Sequence, residues 1–188
     1  MKVSRKRWFW TAGIILVALF LSAAPSAAAK GAKSTIGYLS ITGVTEGCSD
    51  VKNNENSCLV YGFKQGVSVS GSSSGGGGGA SRATFSLTIT KPVDRASVMI
   101  LGDVVTGTHI KDATIRLAQD GSLKSSYSLQ LHEVIITGVQ QYYDALDPDQ
   151  ASLGQLEDVT FSFEKISWTW EPDVVFCFSL PDNSQCVT

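Results

Sequence analysis

Histidine is scarce in this sequence, with two in 188 residues, and that scarcity removes much hydrolytic and metal chemistry. His109 in "THIKD" and His132 in "LHEVI" lack the His-Glu-x-x-His spacing or any other metal-ligand spacing. His132 stands beside Glu133, but adjacent side chains on a strand point to opposite faces, so the two do not share a substrate. No serine occupies a G-x-S-x-G elbow. The cysteines lack the close C-x-x-C pairs of thiolate zinc centres. The five consecutive glycines of "GSSSGGGGGASR", residues 71–82, are not followed by the lysine of a phosphate-binding loop, so the segment reads as a flexible Gly/Ser loop. Asp144, Asp147 and Asp149 in "DALDPDQ" lack the spacing and the glycine of an EF-hand, which leaves a solvated turn. Together these absences predict a protein that is not an enzyme and uses no cofactor.

The length suits one domain with a real core and leaves little room for two. The first 29 residues stand apart from it. They open with "MKVSRKR", continue as an apolar run free of charge from Trp8 to Ala29, and end in "SAAPSAAAK", where Ala27 and Ala29 satisfy an A-x-A cleavage rule. We read residues 1–29 as a secretory signal peptide, with an uncleaved membrane anchor as the alternative. Four of the 15 basic residues and none of the 17 acidic ones lie in this segment, which leaves 11 against 17, a balance of −6. Such a chain repels phosphate backbones, so nucleic acid is a poor partner, and once the signal is removed nothing ties it to a membrane. Its compartment is then secreted, periplasmic or extracellular, and oxidising. Four cysteines, Cys48, Cys58, Cys177 and Cys186, allow three pairings there. We favour Cys48 with Cys58 and Cys177 with Cys186, because each closes a short loop; each bridge would contribute about 2.5–3 kcal/mol in the loop-entropy model. A site of four thiolates around zinc is the rival reading.

From residue 30 onward the hydrophobic period is mostly two. "GYLSI" and "LVYGFKQGVSVS" alternate as strands do, and "ATFSLTIT" puts Phe85, Leu87 and Ile89 on one face. The period then lengthens. Pro92 suits a first helical position and Asp94 a first turn, while Val93, Ala96, Ile100, Leu101 and Val104 form one apolar stripe that Gly107 ends. Ala113, Ile115 and Leu117 restore strand spacing. Tyr127, Leu129 and Leu131 continue it, and the shift to Val134 and Ile136 suggests a turn or bulge. In "DVTFSFEKISWTWEP" the apolar positions are odd at Val159, Phe161 and Phe163 and even at Ile166, Trp168 and Trp170, the slip a β-bulge near Glu164 and Lys165 would produce. The pattern predicts a mainly antiparallel β-protein with a single amphipathic helix.

The segments "GYLSITGVTEG", "SLTITKPVDRAS", "GTHIKDATIRL", "LQLHEVIITG", "VTFSFEKISWTWEP" and "VVFCFSL", in this order and with these spacings, resemble the haemolysin-coregulated protein (Hcp) family, the inner-tube subunit of type VI secretion systems. The resemblance covers nearly all of residues 30–188. It implies a small β-barrel of two antiparallel sheets with one α-helix alongside, a homo-oligomer assembled as a hexameric ring, and stacking of rings into a tube. It also implies that the long loop after the first strand, here residues 44–57 with Val44, Glu46 and Asp50, mediates ring stacking, and that effector proteins are candidate cargo in the lumen. The N-terminal segment and the cysteine pairs mark an exported variant. The alternative from another class is an exported monomeric module that binds carbohydrate or protein. Exposure of Trp168 or Trp170 would favour that module, and burial of both would favour assembly.

Overall fold

The computed structural model describes residues 35–46, 48, 56–70, 82–118, 125–143, 146 and 153–186. All of these belong to one unit spanning residues 31–188. The N-terminal segment read as a signal peptide, Asp50, the three aspartates of "DALDPDQ", and the Gly/Ser loop except Arg82 lie outside the described residues.

Among the described residues, nine strands and one helix run in the order β1 (Gly37–Ile41), β2 (Cys58–Val60), β3 (Gly62–Ser70), β4 (Arg82–Pro92), α1 (Ala96–Thr106), β5 (Ile110–Ala118), β6 (Ser125–Tyr142), β7 (Leu156–Trp170), β8 (Val174–Ser179) and β9 (Ser184–Gln185). The fold is therefore mainly β with one helix. All pairings are antiparallel, in the order β2-β1-β5-β6-β7-β4-β3, with β8 joined to β7 and β9 to β8.

The expected two sheets are hydrogen-bonded into one continuous sheet that does not close on itself. The reason lies in the two longest strands. β7 pairs with β6 along its whole length, but on its other side it pairs with β4 through Phe161 and with β8 from Lys165. The sheet forks between those residues. At the same level the inward face changes parity in both strands: Leu129 and Leu131 are buried before Val134 and Ile136 in β6, and Val159, Phe161 and Phe163 before Ile166 in β7. One slip thus serves two strands at once. The register is the same at His132–Lys165 and at Val134–Phe163, with one residue of each strand, Glu133 and Glu164, left unpaired between them, so the one-sided bulge expected near Glu164 and Lys165 is instead a coordinated change of face in both strands. Glu133, with φ 50°, supplies the backbone turn. The register shift itself falls between Ile136 and Gly138.

β2 and β3 form nearly one extended run that meets both outer edges of this path. β2 pairs with β1, β3 with β4, and between them the Tyr61 N–H donates to Thr90 O at 2.8 Å. The resulting barrel-like core gathers Leu39, Ile41, Val60, Leu87, Ile89, Ile115, Leu129, Leu131 and Ile166.

α1 starts later than its sequence suggests. Pro92 ends β4 rather than opening the helix, because Lys91 and Pro92 still pair with Glu157 and Leu156 of β7. Asp94 precedes the helix and accepts the Ala96 N–H on Oδ1 at 2.9 Å, while Ser97 Oγ accepts the Asp94 N–H at 2.9 Å. Such reciprocal bonds satisfy donors that a helix start leaves orphaned. Gly107 closes the helix at φ 63°, in the left-handed region where glycine costs least. Ala96, Ser97 and Ile100 face inward, but Leu101 lies on the outer face.

Candidate assembly surface and cysteine sites

The loop after β1 is fastened at its neck. Thr45 is fully buried, accepts the Ile41 N–H on Oγ1 at 2.9 Å, and reaches the Asn56 carbonyl across the loop at 2.8 Å. The structure also brings Cys48 and Cys58 to disulfide bonding, with Cα atoms 4.8 Å apart. Cys58 belongs to β2 and to the core, and Cys48 packs against that core. The loop is thus tied to the barrel wall and not only to itself. Val44 is half-buried against the core, and Glu46 is exposed. Beside the neck, Thr42, Val44, Met99, Asp103, His109 and Lys111 line part of a cleft of about 580 Å³ between the loop base, α1 and the start of β5.

The outer face of α1 is apolar as well as its inner one. Val98 is 74% exposed and Val105 82%, with Met99 and Leu101 beside them, and Asp103 is the helix's single charge. A helix apolar all round is normally covered on both sides.

Cys177 on β8 and Cys186 just after β9 form the second bonded pair, with Cα atoms 5.2 Å apart. The Cys186 N–H also donates to Cys177 O at 3.1 Å, so the bridge staples the short hairpin at the end of the chain. The four cysteines do not converge, which removes the four-thiolate zinc reading: the cluster of close ligand atoms around Cys48 and Cys58 includes Asp94 but neither other cysteine.

The histidines have no common site. His109 is exposed, and His132 Nδ1 meets not Glu133 but Asp112 Oδ1 across the strands, at 2.5 Å, with both side chains partly exposed. Cross-strand pairing explains this, since Asp112 lies directly opposite His132.

By the criterion set for the two tryptophans, Trp170 falls on the side of the binding module. Trp168 is half-buried against Phe85 and Phe176, with ring centroids 6.1 and 5.7 Å away. Trp170 is 44% exposed, stacks near Tyr127, and with Ile36, Phe63 and Leu117 lines an apolar cavity of about 400 Å³. Val174, Val175 and Phe176 continue the exposed apolar surface along β8.

One polar cluster escaped notice in the sequence. Lys91 and Glu157 are both fully buried, with Nζ 2.8 Å from Oε1. Ser97 Oγ donates to the same carboxylate oxygen at 2.8 Å, and Gln141 Nε2 donates to Oε2 at 2.8 Å. Lys91 also pairs with Asp94 at 2.8 Å. The cluster locks β4, β6, β7 and the helix start together. Its signal was present in the sequence, because Lys91 continues the inward spacing of Leu87 and Ile89, and Glu157 that of Val159 and Phe161.

A family model described as "Type VI secretion system effector, Hcp" matches residues 38–170, from β1 to the end of β7. The chain belongs to the Hcp family. Among curated proteins, the "Major exported protein" of Pseudomonas aeruginosa is 28% identical over 155 residues, covering 73% of this chain and 90% of that protein. Among solved structures, the secreted protein Hcp3 from Pseudomonas aeruginosa is 25% identical with a TM-score of 0.60, covering 77% of this chain and 97% of its own. Hcp1 from Salmonella typhimurium shares the fold at 17% identity, with a TM-score of 0.66 over 80% of this chain and 98% of that one. These Hcp relatives are matched along almost their whole length.

Proposed function

We propose that this chain is an exported ring subunit of type VI secretion tube type, a structural protein and not an enzyme. Six copies close a ring, rings stack through residues 44–57, and the lumen offers space for effector proteins. The observation that carries this reading is the Hcp family match over residues 38–170, which takes in the barrel and its helix. Two features of the surface agree with it. The apolar outer face of α1 is unusual on a chain that stays single. The stacking loop is held at its neck by Thr45 and by Cys48–Cys58, which lowers the entropy lost when its exposed part docks. Export rests on the N-terminal segment and on the cysteine pairs, which suit an oxidising compartment.

Light scattering coupled to size exclusion tests the assembly. A discrete species of six protomer masses is expected, and a monomer persisting at high micromolar concentration would overturn the ring. The partly exposed Trp170 in an apolar cavity supports a monomeric binding module, and that reading takes over in the second outcome.

A further inference from the structure

The Cys48–Cys58 pair has a carboxylate close beside it. The two sulfurs and a carboxylate oxygen of Asp94 all lie within 4.8 Å of one another. Asp94 stands two residues ahead of α1, and its Oδ1 is engaged by the Ala96 N–H and by Lys91. Its Oδ2 is buried and has no hydrogen-bond partner. A buried carboxylate oxygen left unpaired is costly, and such an atom points to a ligand or to a second state of the site. Cys58 is fully buried and Cys48 partly so, which places these three donors at the edge of the core rather than loose in solvent.

We propose that, when the Cys48–Cys58 disulfide is reduced, Cys48, Cys58 and Asp94 form a site for one thiophilic divalent cation, zinc in the first instance, so that the loop neck is clipped by a bond in oxidising surroundings and by a metal in reducing ones. Ligand softness selects the metal. Two thiolates and one carboxylate favour zinc over calcium or magnesium, which prefer oxygen alone. The scale also fits, because zinc–sulfur bonds of about 2.3 Å and zinc–oxygen bonds of about 2.0–2.2 Å put the donors of one ion roughly 3.5–4 Å apart. Three protein ligands leave a fourth position for water. The charge is also supported, since two thiolates, one carboxylate and a dication sum to −1 beside the ammonium of Lys91.

The change of state balances with one external reductant, a dithiol. An external dithiol gives two electrons and two protons to the Cys48–Cys58 disulfide and leaves as its own disulfide, producing two thiols. The cation then displaces those two protons as both sulfurs bind as thiolates. Cys177 and Cys186 take no part, because they lie outside the cluster.

Cobalt(II) serves as the probe, since its absorption reports tetrahedral thiolate ligation. Protein reduced with a phosphine and titrated anaerobically is expected to take up one equivalent, with a sulfur-to-cobalt charge-transfer band that zinc then bleaches. The oxidised protein should show no band. Cys58→Ser should abolish the band, Cys186→Ser should leave it, and Asp94→Asn, which keeps the acceptor for the Ala96 N–H, should weaken cobalt affinity by at least about tenfold. Circular dichroism of the Asp94→Asn protein checks that its fold is retained. A reduced protein with no charge-transfer band at one equivalent overturns the site, as does a band lost in Cys186→Ser or unchanged in affinity in Asp94→Asn.

Discussion

Lys91 and Glu157 show what a single residue can decide here. Both side chains are fully buried, and each is held by partners from a different element, so removal of either leaves charge without solvent. Lys91→Met strands Glu157 and should destabilise the protein by about 3–5 kcal/mol in urea unfolding. Lys91→Met combined with Glu157→Leu should recover much of that loss, because a well-packed apolar pair can replace a buried ion pair. The tyrosines set the alkaline limit. Burial raises the phenols of Tyr38, Tyr61 and Tyr127, and burial followed by the charge of Asp158 raises Tyr142 above its ordinary value of 10.0. Each group keeps its proton longer in the folded chain than in the unfolded one. Its contribution is therefore complete below the unfolded value and lost as pH rises through the folded one. Urea midpoints should fall above about pH 10, and more gently in Tyr142→Phe than in the parent.

At the scale of elements, α1 and the loop after β1 carry the surfaces that differ from an ordinary barrel. Val98 and Val105 are exposed and touch little of their own chain, so Val98→Glu and Val105→Glu should change monomer stability by no more than about 0.5 kcal/mol. The same changes place charge on the face we assign to a neighbouring copy and should shift light scattering toward smaller species. Glu46→Lys belongs to a different contact. It should leave the ring mass unaltered and change how rings associate end to end, measured by sedimentation or by counting stacked rings in negative-stain images. Cys58 separates loop from wall. Because it sits on β2 in the core, Cys58→Ser should lower stability as well as free the loop, through a hydroxyl buried where sulfur packed.

The whole molecule depends on β6 and β7. They run through both halves of the sheet, and their shared change of face at Glu133 and Glu164 turns one ribbon into two facing layers. With β2–β3 spanning both outer edges of the main path, the barrel leaves β8–β9 as a side branch, and the Cys177–Cys186 bridge fastens that branch. Short, stapled edges of this kind resist unwanted strand addition. Export makes a prediction at the same scale. Intact mass of protein recovered from the export compartment should place the first residue at or within a few positions of Lys30, whereas a retained Met1 in the membrane fraction would assign residues 1–29 to an anchor.

Period-two alternation in six segments, one period of helix and a glycine at its end were enough to determine a mainly β chain with one helix, because those signals depend only on which neighbours share a face. The ordered segments also carried the family resemblance. What they left open required knowledge of partners across strands. A parity slip in β7 looks the same whether one strand bulges or two turn together, and only the unchanged register of His132 with Lys165 and Val134 with Phe163 separates the cases. Pro92 fits a helix start by local rule, yet its pairing to β7 holds it in β4. Asp94 looked like a first-turn anion, and tertiary packing placed it against two cysteines distant in sequence. Local chemistry determined which elements form. Long-range pairing decided where the sheet forks, which face of α1 remains uncovered and which side chains meet at the loop neck, because contacts between residues far apart in the chain leave no period in the sequence to read.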